Sequence, residues 1–240
     1  MKALAIGIHN DDCEYAIGGI LALLCEKGWD VTVLNLAPNT HSPTEEDEAQ
    51  SMQAAKVLGA QKIVFDYTQS EFYRNNEESI EKTKNAIVDI KPDIIFMHYP
   101  KDHHSEHVQV AQTTREAIFR AAVAGACPNE IYAMEFGPMQ TMCYFNPDIY
   151  INIDSVLDKV EASLLSFNLK HASGTGLVRE KKVCARFRGY MGAGAESYGE
   201  ALKIVKYPSK NNDFLLKEVL NDYFRWAGGP MYFPNDELFM

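Results

Sequence analysis

The chain predicts an α/β protein, a Rossmann-like three-layer fold with a mostly parallel sheet and a C-terminal elaboration. Three observations carry that expectation. Apolar runs without polar alternation, such as KALAIGI at residues 2–8 and DIIFMH at 93–98, have the pattern of strands buried on both faces. Segments of helical character separate these runs, and the connections are short. Strand–helix alternation of this kind builds right-handed βαβ units around a parallel sheet.

Taken in order, residues 2–8 form the first strand and 16–27 (AIGGILALLCEK) a helix that ends at Gly28. Residues 30–36 (DVTVLNL) form the second strand. Residues 44–58 are helical, because Glu45-Glu46-Asp47-Glu48 suits a helix N-terminus and Gly59 closes it. A third strand at 62–66 and a helix at 77–90 follow, the helix stopped by Lys91-Pro92. Then come a fourth strand at 93–98, a long helix at 105–124 and a fifth strand at 130–136. Beyond Pro138 the pattern loosens into a strand at 148–153, a helix at 154–170 opened by Asp154, a loop at 173–176 and a helix at 178–191. The tail from Tyr207 is rich in aromatics and reads as a short helix plus an irregular arm. Residues 1–205 are therefore expected to form one domain. Residues 206–240 would be an arm that packs on that domain or on a second subunit.

Of the 240 residues, 46% are hydrophobic and 23% charged, the balance of an ordered globular chain. A net charge of −10 argues against nucleic acid or an anionic membrane as the main partner. The basic stretch 179–188, with Lys181 and Lys182, reads as a solvated helix face. The five cysteines are scattered without a CxxC pair, which suits a reducing compartment. No secretory leader is expected ahead of the first strand, and no apolar stretch approaches the roughly 20 residues of a membrane span. The expected location is cytoplasmic.

Two short clusters concentrate the chemistry: His9-Asn10-Asp11-Asp12 after the first strand, and Asp102-His103-His104-Ser105-Glu106-His107 after the fourth. Open parallel sheets bind ligands outside the carboxyl ends of their strands. If these strands are neighbours, His9, Asp12 and His107 can build one mononuclear metal site, leaving Asp11 and His104 for acid–base work. Two imidazoles and a carboxylate suit zinc with an open catalytic position, although the same donors bind Fe2+ or Co2+. Taken alone, the first cluster is more simply a helix cap. The second changes the balance, since four of the seven histidines fall between His98 and His107. Gly7-x-His9 is not a dinucleotide fingerprint, and paired aspartates are wrong for a pyrophosphate. Cys13 reads as a buried helix thiol, not a nucleophile.

HNDDCEYAIGG resembles the His-Pro-Asp-Asp-x-Glu-x-x-x-Gly-Gly start of the PIG-L/LmbE-like zinc-dependent de-N-acetylases. Residues 102–107 resemble that family's Asp-x-His-Pro-Asp-His. Weaker matches fall at 54–59, at 145–153 with Lys159, and at Tyr198-Gly199-Glu200, so the resemblance covers about residues 1–205. It implies zinc held by His9, Asp12 and His107, with Asp11 as the general base that deprotonates water. His104 would stabilise the oxyanion or protonate the leaving amine. Glu106 would tune it, and Asp102 and Glu14 would stand behind the ligands as outer partners.

The departures concern the substrate. Asn10 replaces a proline and Ser105-Glu106 replaces Pro-Asp, both without loss of a ligand. Asp47 stands where the family's second-helix arginine falls, and Gln69 where it has an aspartate. Gln69 and Arg74 are the candidate substrate contacts. The resemblance implies a hydrolase that removes an acetyl or other acyl group from a small N-acylated amino sugar or glycoconjugate. The alternatives are hydrolysis of another amide or ester, and a non-catalytic sugar-binding relative. A phosphoesterase would call for more cations than Lys101 near the clusters.

Overall fold

The computed structural model describes residues 1–37, 45–65, 76–137, 145–168, 173–192, 194, 196–206 and 214–227. Its strands are β1 (Lys2–Gly7), β2 (Asp30–Asn35), β3 (Gln61–Val64), β4 (Ile94–His98), β5 (Glu130–Met134), β6 (Ile149–Asn152), β7 (Gly199–Lys206) and β8 (Phe224–Trp226). Its helices are α1 (Asp12–Glu26), α2 (Glu45–Leu58), α3 (Asn76–Ile90), α4 (Ser105–Val123), α5 (Leu157–Leu164), α6 (Gly174–Gly192) and α7 (Leu215–Val219). They build one eight-stranded sheet in the order β3-β2-β1-β4-β5-β7-β6-β8. The first five strands in that order run parallel, and β7, β6 and β8 each pair antiparallel to their neighbours.

The expected three layers follow from the double-sided burial of β1. Ala3 and Ala5 join a core with α1, α2 and Ala185 of α6. Leu4 and Ile6 face the opposite way, into a core with Ile80 and Ile87 of α3 and Val110 and Ala117 of α4. The chain leaves β1 toward β2 and β3 on one side, then returns to β4 on the other. The β1/β4 boundary is thus the topological switch point where such sheets open a crevice. Both histidine clusters sit there.

Four elements differ from expectation. β7 comes from a stretch not read as a strand, although it contributes the antiparallel partner of β5 and β6. The helix at 154–170 is instead a 3₁₀ turn at Asp154–Val156 and the short α5, because the chain turns at Leu165 to bury Phe167. The loop at 173–176 is the start of α6, where the Ser173 hydroxyl accepts the Gly176 N–H. In the tail, residues 214–227 lie on the sheet: β8 pairs with β6, and buried Glu130 accepts backbone N–H groups of Leu215 and Leu216 at the start of α7.

Candidate metal centre

Close approach of β1 to α1 brings the first cluster together. A Cβ on Gly7 would lie 2.8 Å from the Asp12 Cβ, so only glycine lets the helix start this near the strand end. Asp12 is fully buried, and its two oxygens face different ways. Oδ2 accepts the backbone N–H of Ile8 (2.7 Å) and of His9 (3.0 Å) and meets His98 Nε2 at 2.8 Å. Oδ1 faces His9 Nδ1 at 3.3 Å and His107 Nε2 at 3.5 Å. The far side of each ring is also held. His107 Nδ1 lies 2.9 Å from Asp102 Oδ2, and His9 Nε2 lies 2.6 Å from Glu106 Oε2.

Among the described residues, His9–Asp12–His107, His9–His104–Glu106 and His98–Asp102–His107 are the groups whose donor atoms lie within 4.8 Å of one another. In the first, His9 Nδ1 and His107 Nε2, the ring nitrogens opposite those held by Glu106 and Asp102, both face Asp12 Oδ1. A divalent cation fits there by the chemistry of its donors: two imidazole nitrogens within 3.5 Å of one carboxylate oxygen, each ring oriented from behind by a carboxylate.

The electrostatics agree. Burial opposes a charged His9, but the Asp12 and Glu106 carboxylates outweigh it and push the imidazole up to about 10. His107 is likewise opposed by burial, yet Asp12 and Asp102 push it up to about 9. Burial also opposes ionisation of Asp12, and the surrounding histidines hold its carboxyl well below the usual range. The pocket therefore favours positive charge beside Asp12. His98 and His104 go the other way: burial, then the neighbouring His107, lowers both, so each is held neutral.

The structure gathers His9, Asp11, Asp12, His104, Glu106 and His107 at the crevice. Asp11 is 6% exposed at the N-cap position of α1 and makes no side-chain cap bond, so the simple capping account does not describe it. His104 holds the matching position on α4, its backbone N–H bonded to Asp102 Oδ1 at 2.8 Å. The Glu106 carboxylate bonds His9 and comes no nearer than 3.8 Å to His104 Nδ1. Glu14 stands apart from the donor atoms. It pairs with buried Lys62 at 2.7 Å, and Lys62 in turn donates to the Asn10 carbonyl at 2.6 Å, which steadies the loop. Asp47 is half-buried on α2, while Gln69 and Arg74 lie outside the described residues.

Three features were not assigned from sequence. His98, at the end of β4, bonds Asp12 and stacks on His107 at a centroid distance of 4.3 Å, a role its strand-end position could have suggested. Lys181 and Arg188 are 4% and 5% exposed, which corrects the solvated-face reading of 179–188 at these two positions, while Arg179 is exposed and Lys182 partly so. Lys181 pairs with Glu200 and Arg188 forks onto Glu135, and these partners far along the chain are what make burial tolerable. Cys13 is buried and its thiol is pushed well up by burial, as expected of a core group.

The chain is thus an α/β protein whose switch point carries an imidazole–carboxylate cluster that could hold a metal ion. Residues 4–118, which carry both clusters, match the model of the PIG-L family (GlcNAc-PI de-N-acetylase). The chain is 26% identical over 187 residues to a 4-oxalmesaconate hydratase of Pseudomonas putida, an alignment covering 68% of this chain and 71% of the relative. It is 25% identical over 182 residues to the diacetylchitobiose deacetylase of Thermococcus kodakarensis, covering 65% of each. The fold matches the crystal structure of the 4-carboxy-2-hydroxymuconate hydratase GalB from Pseudomonas putida with a TM-score of 0.70 at 23% identity, over 89% of this chain and 99% of that one. Among the described residues, no helix is long and apolar enough to cross a membrane.

Proposed function

We propose that this chain is a metal-dependent hydrolase that removes an acyl group, acetyl foremost, from an N-acylated amino sugar or related glycoconjugate. The observation that carries the reading is the convergence of His9 Nδ1, Asp12 Oδ1 and His107 Nε2, with Asp11 beside Asp12 at the start of α1 and His104 grouped with His9 and Glu106. Those three atoms would hold zinc, or Fe2+ or Co2+ in its place. A cation bound there supplies Lewis acidity toward an amide carbonyl and lowers the pKa of water toward about 7.

The remaining work belongs to the side chains. Asp11, the N-cap residue of α1 beside Asp12, takes the proton of the attacking water and returns it to the departing nitrogen, so the proton count balances. His104, held neutral, donates a hydrogen bond to the oxygen that gains charge as the carbonyl carbon becomes tetrahedral. Glu106 and Asp102 keep the rings of His9 and His107 turned inward. The deacetylase relative supports the bond type, and the two clusters support the machinery.

The hydratase relative favours a second reading, in which the same centre adds water across a carbon–carbon double bond of an unsaturated carboxylate. Metal analysis with a free-amine release assay across N-acetylated sugars separates the two. The hydrolase reading expects stoichiometric metal that is lost in His107→Ala, and amine release that falls at least a hundredfold in Asp11→Ala with metal retained. Asp11-dependent loss of absorbance from an unsaturated dicarboxylate, without amine release from any sugar, would replace it with the hydratase.

A further inference from the structure

Helix α1 carries Asp11 and Asp12 at its start, yet it is not one continuous helix. Ile17 has φ −135° and ψ 25°, outside the helical region. A continuous helix would bond the Gly19 N–H to the Tyr15 carbonyl and the Ile20 N–H to the Ala16 carbonyl. Here those four groups are bonded to a buried ion pair. The Gly19 and Ile20 N–H groups donate to Glu200 Oε1 (2.9 Å) and Oε2 (2.8 Å). Lys181 Nζ donates to the Tyr15 carbonyl (2.7 Å) and the Ala16 carbonyl (3.1 Å), and closes on Glu200 Oε1 at 2.6 Å. Glu200 is 2% exposed and Lys181 4%.

The polarity is matched at both ends. The ammonium faces the carbonyl end of the first turn, and the carboxylate faces the N–H end of the second segment, as the helix dipole requires of each. Room for the carboxylate depends on Gly19, since a Cβ there would lie 2.5 Å from Ile153 Cγ2 and 3.2 Å from Glu200 Oε1. Tyr15, in the first turn, packs on Phe136 at 4.9 Å, and Phe136 packs edge-on against His107 at 4.6 Å.

We propose that Lys181 and Glu200 are positioning residues of the metal centre. Their ion pair splices the break in α1 and thereby fixes the direction of the first turn, which decides where Asp12 Oδ1 and Asp11 point. The inference rests on the metal-centre reading above. Both act through the α1 backbone on either side of the break, Lys181 through the Tyr15 and Ala16 carbonyls and Glu200 through the Gly19 and Ile20 N–H groups.

The test uses purified full-length chain, with zinc affinity measured by chelator competition and Co2+ binding followed by its visible absorption, which reports ligand geometry. Wild type and His107→Ala serve as references. Glu200→Gln keeps one acceptor for the two N–H groups, and Lys181→Met removes the ammonium. Each is expected to weaken zinc at least tenfold and to alter the Co2+ spectrum, while metal-free circular dichroism stays native. Zinc affinity within threefold of wild type and an unchanged Co2+ spectrum in either folded variant would overturn the splice. Should neither variant fold, amide resonances of wild type decide: zinc is expected to shift Gly19 and Ile20, and their indifference would count against the proposal. Zinc binding that is absent from wild type, or that persists in His107→Ala, would instead sink the metal-centre reading itself.

Discussion

Replacing Asp102 by asparagine isolates the support behind the ring of His107, a metal ligand in the proposed function. The carboxylate uses both oxygens, Oδ2 against His107 Nδ1 at 2.9 Å and Oδ1 against the His104 N–H at 2.8 Å, and its side chain is 1% exposed. Asparagine offers one oxygen where two are needed, so an NH2 group must face one of the two donors. The charge-assisted bond to His107 also becomes a neutral one, roughly half as strong. Hydrogen bonds to charged groups contribute about 1.5–3 kcal/mol and neutral ones about 0.5–1.5, so the loss is about 1–2 kcal/mol. At about 1.4 kcal/mol per tenfold, zinc binding should weaken by about 5- to 30-fold. Outer partners of metal-bound histidines typically carry about 10- to 100-fold. Chelator competition on folded protein measures this directly. An Asp102→Asn protein that binds zinc within twofold of wild type would refute the assignment of His107 Nε2 as a ligand oriented from behind.

Zinc uptake at pH 7.5 should release about two protons, because His9 and His107 hold theirs up to about 10 and about 9; calorimetry in buffers of different ionisation enthalpy counts them. The metal-free protein follows the same groups. Their folded pKa values exceed the unfolded value of about 6.5, so their contribution is fully present below about 6.5 and is lost as pH rises through about 9 to 10. Melting temperature should fall across that window, and a flat profile would contradict it. Lys62→Met strands Glu14, whose carboxyl is already raised by burial, and should cost about 3–5 kcal/mol in urea unfolding at pH 7. The double change with Glu14→Gln should recover a good part of that cost, and no recovery would show that the pair is not the cause. Gly7→Ala should lose zinc binding as well as stability, since its Cβ would meet Asp12 itself; unchanged affinity in a folded variant would remove the close approach from the argument.

Much of the parallel half of the sheet was legible in the chain. Strands β1, β2, β4 and β5 were foreseen to within two residues at either end, because apolar runs and Gly or Pro stops act locally. The antiparallel half was harder. β7 pairs with both β5 and β6, strands separated from it by long stretches of chain, and nothing within residues 199–206 announces those partners. The two clusters named His9, Asp12 and His107 as a set, because strand ends in a parallel sheet share one edge whatever the loops do.

From sequence alone, then, the α/β class, the switch-point location and the donor types were determined, since each depends on periodicity or on short spacing. The fold decided which ring each carboxylate holds: Glu106 on His9, Asp102 on His107, His98 on Asp12. It also decided that Lys181 and Arg188, charged residues on a helix of solvated appearance, are buried. A buried charge is stable only beside its partner, and Glu200 and Glu135 reach those positions through the sheet, at sequence separations no local pattern encodes.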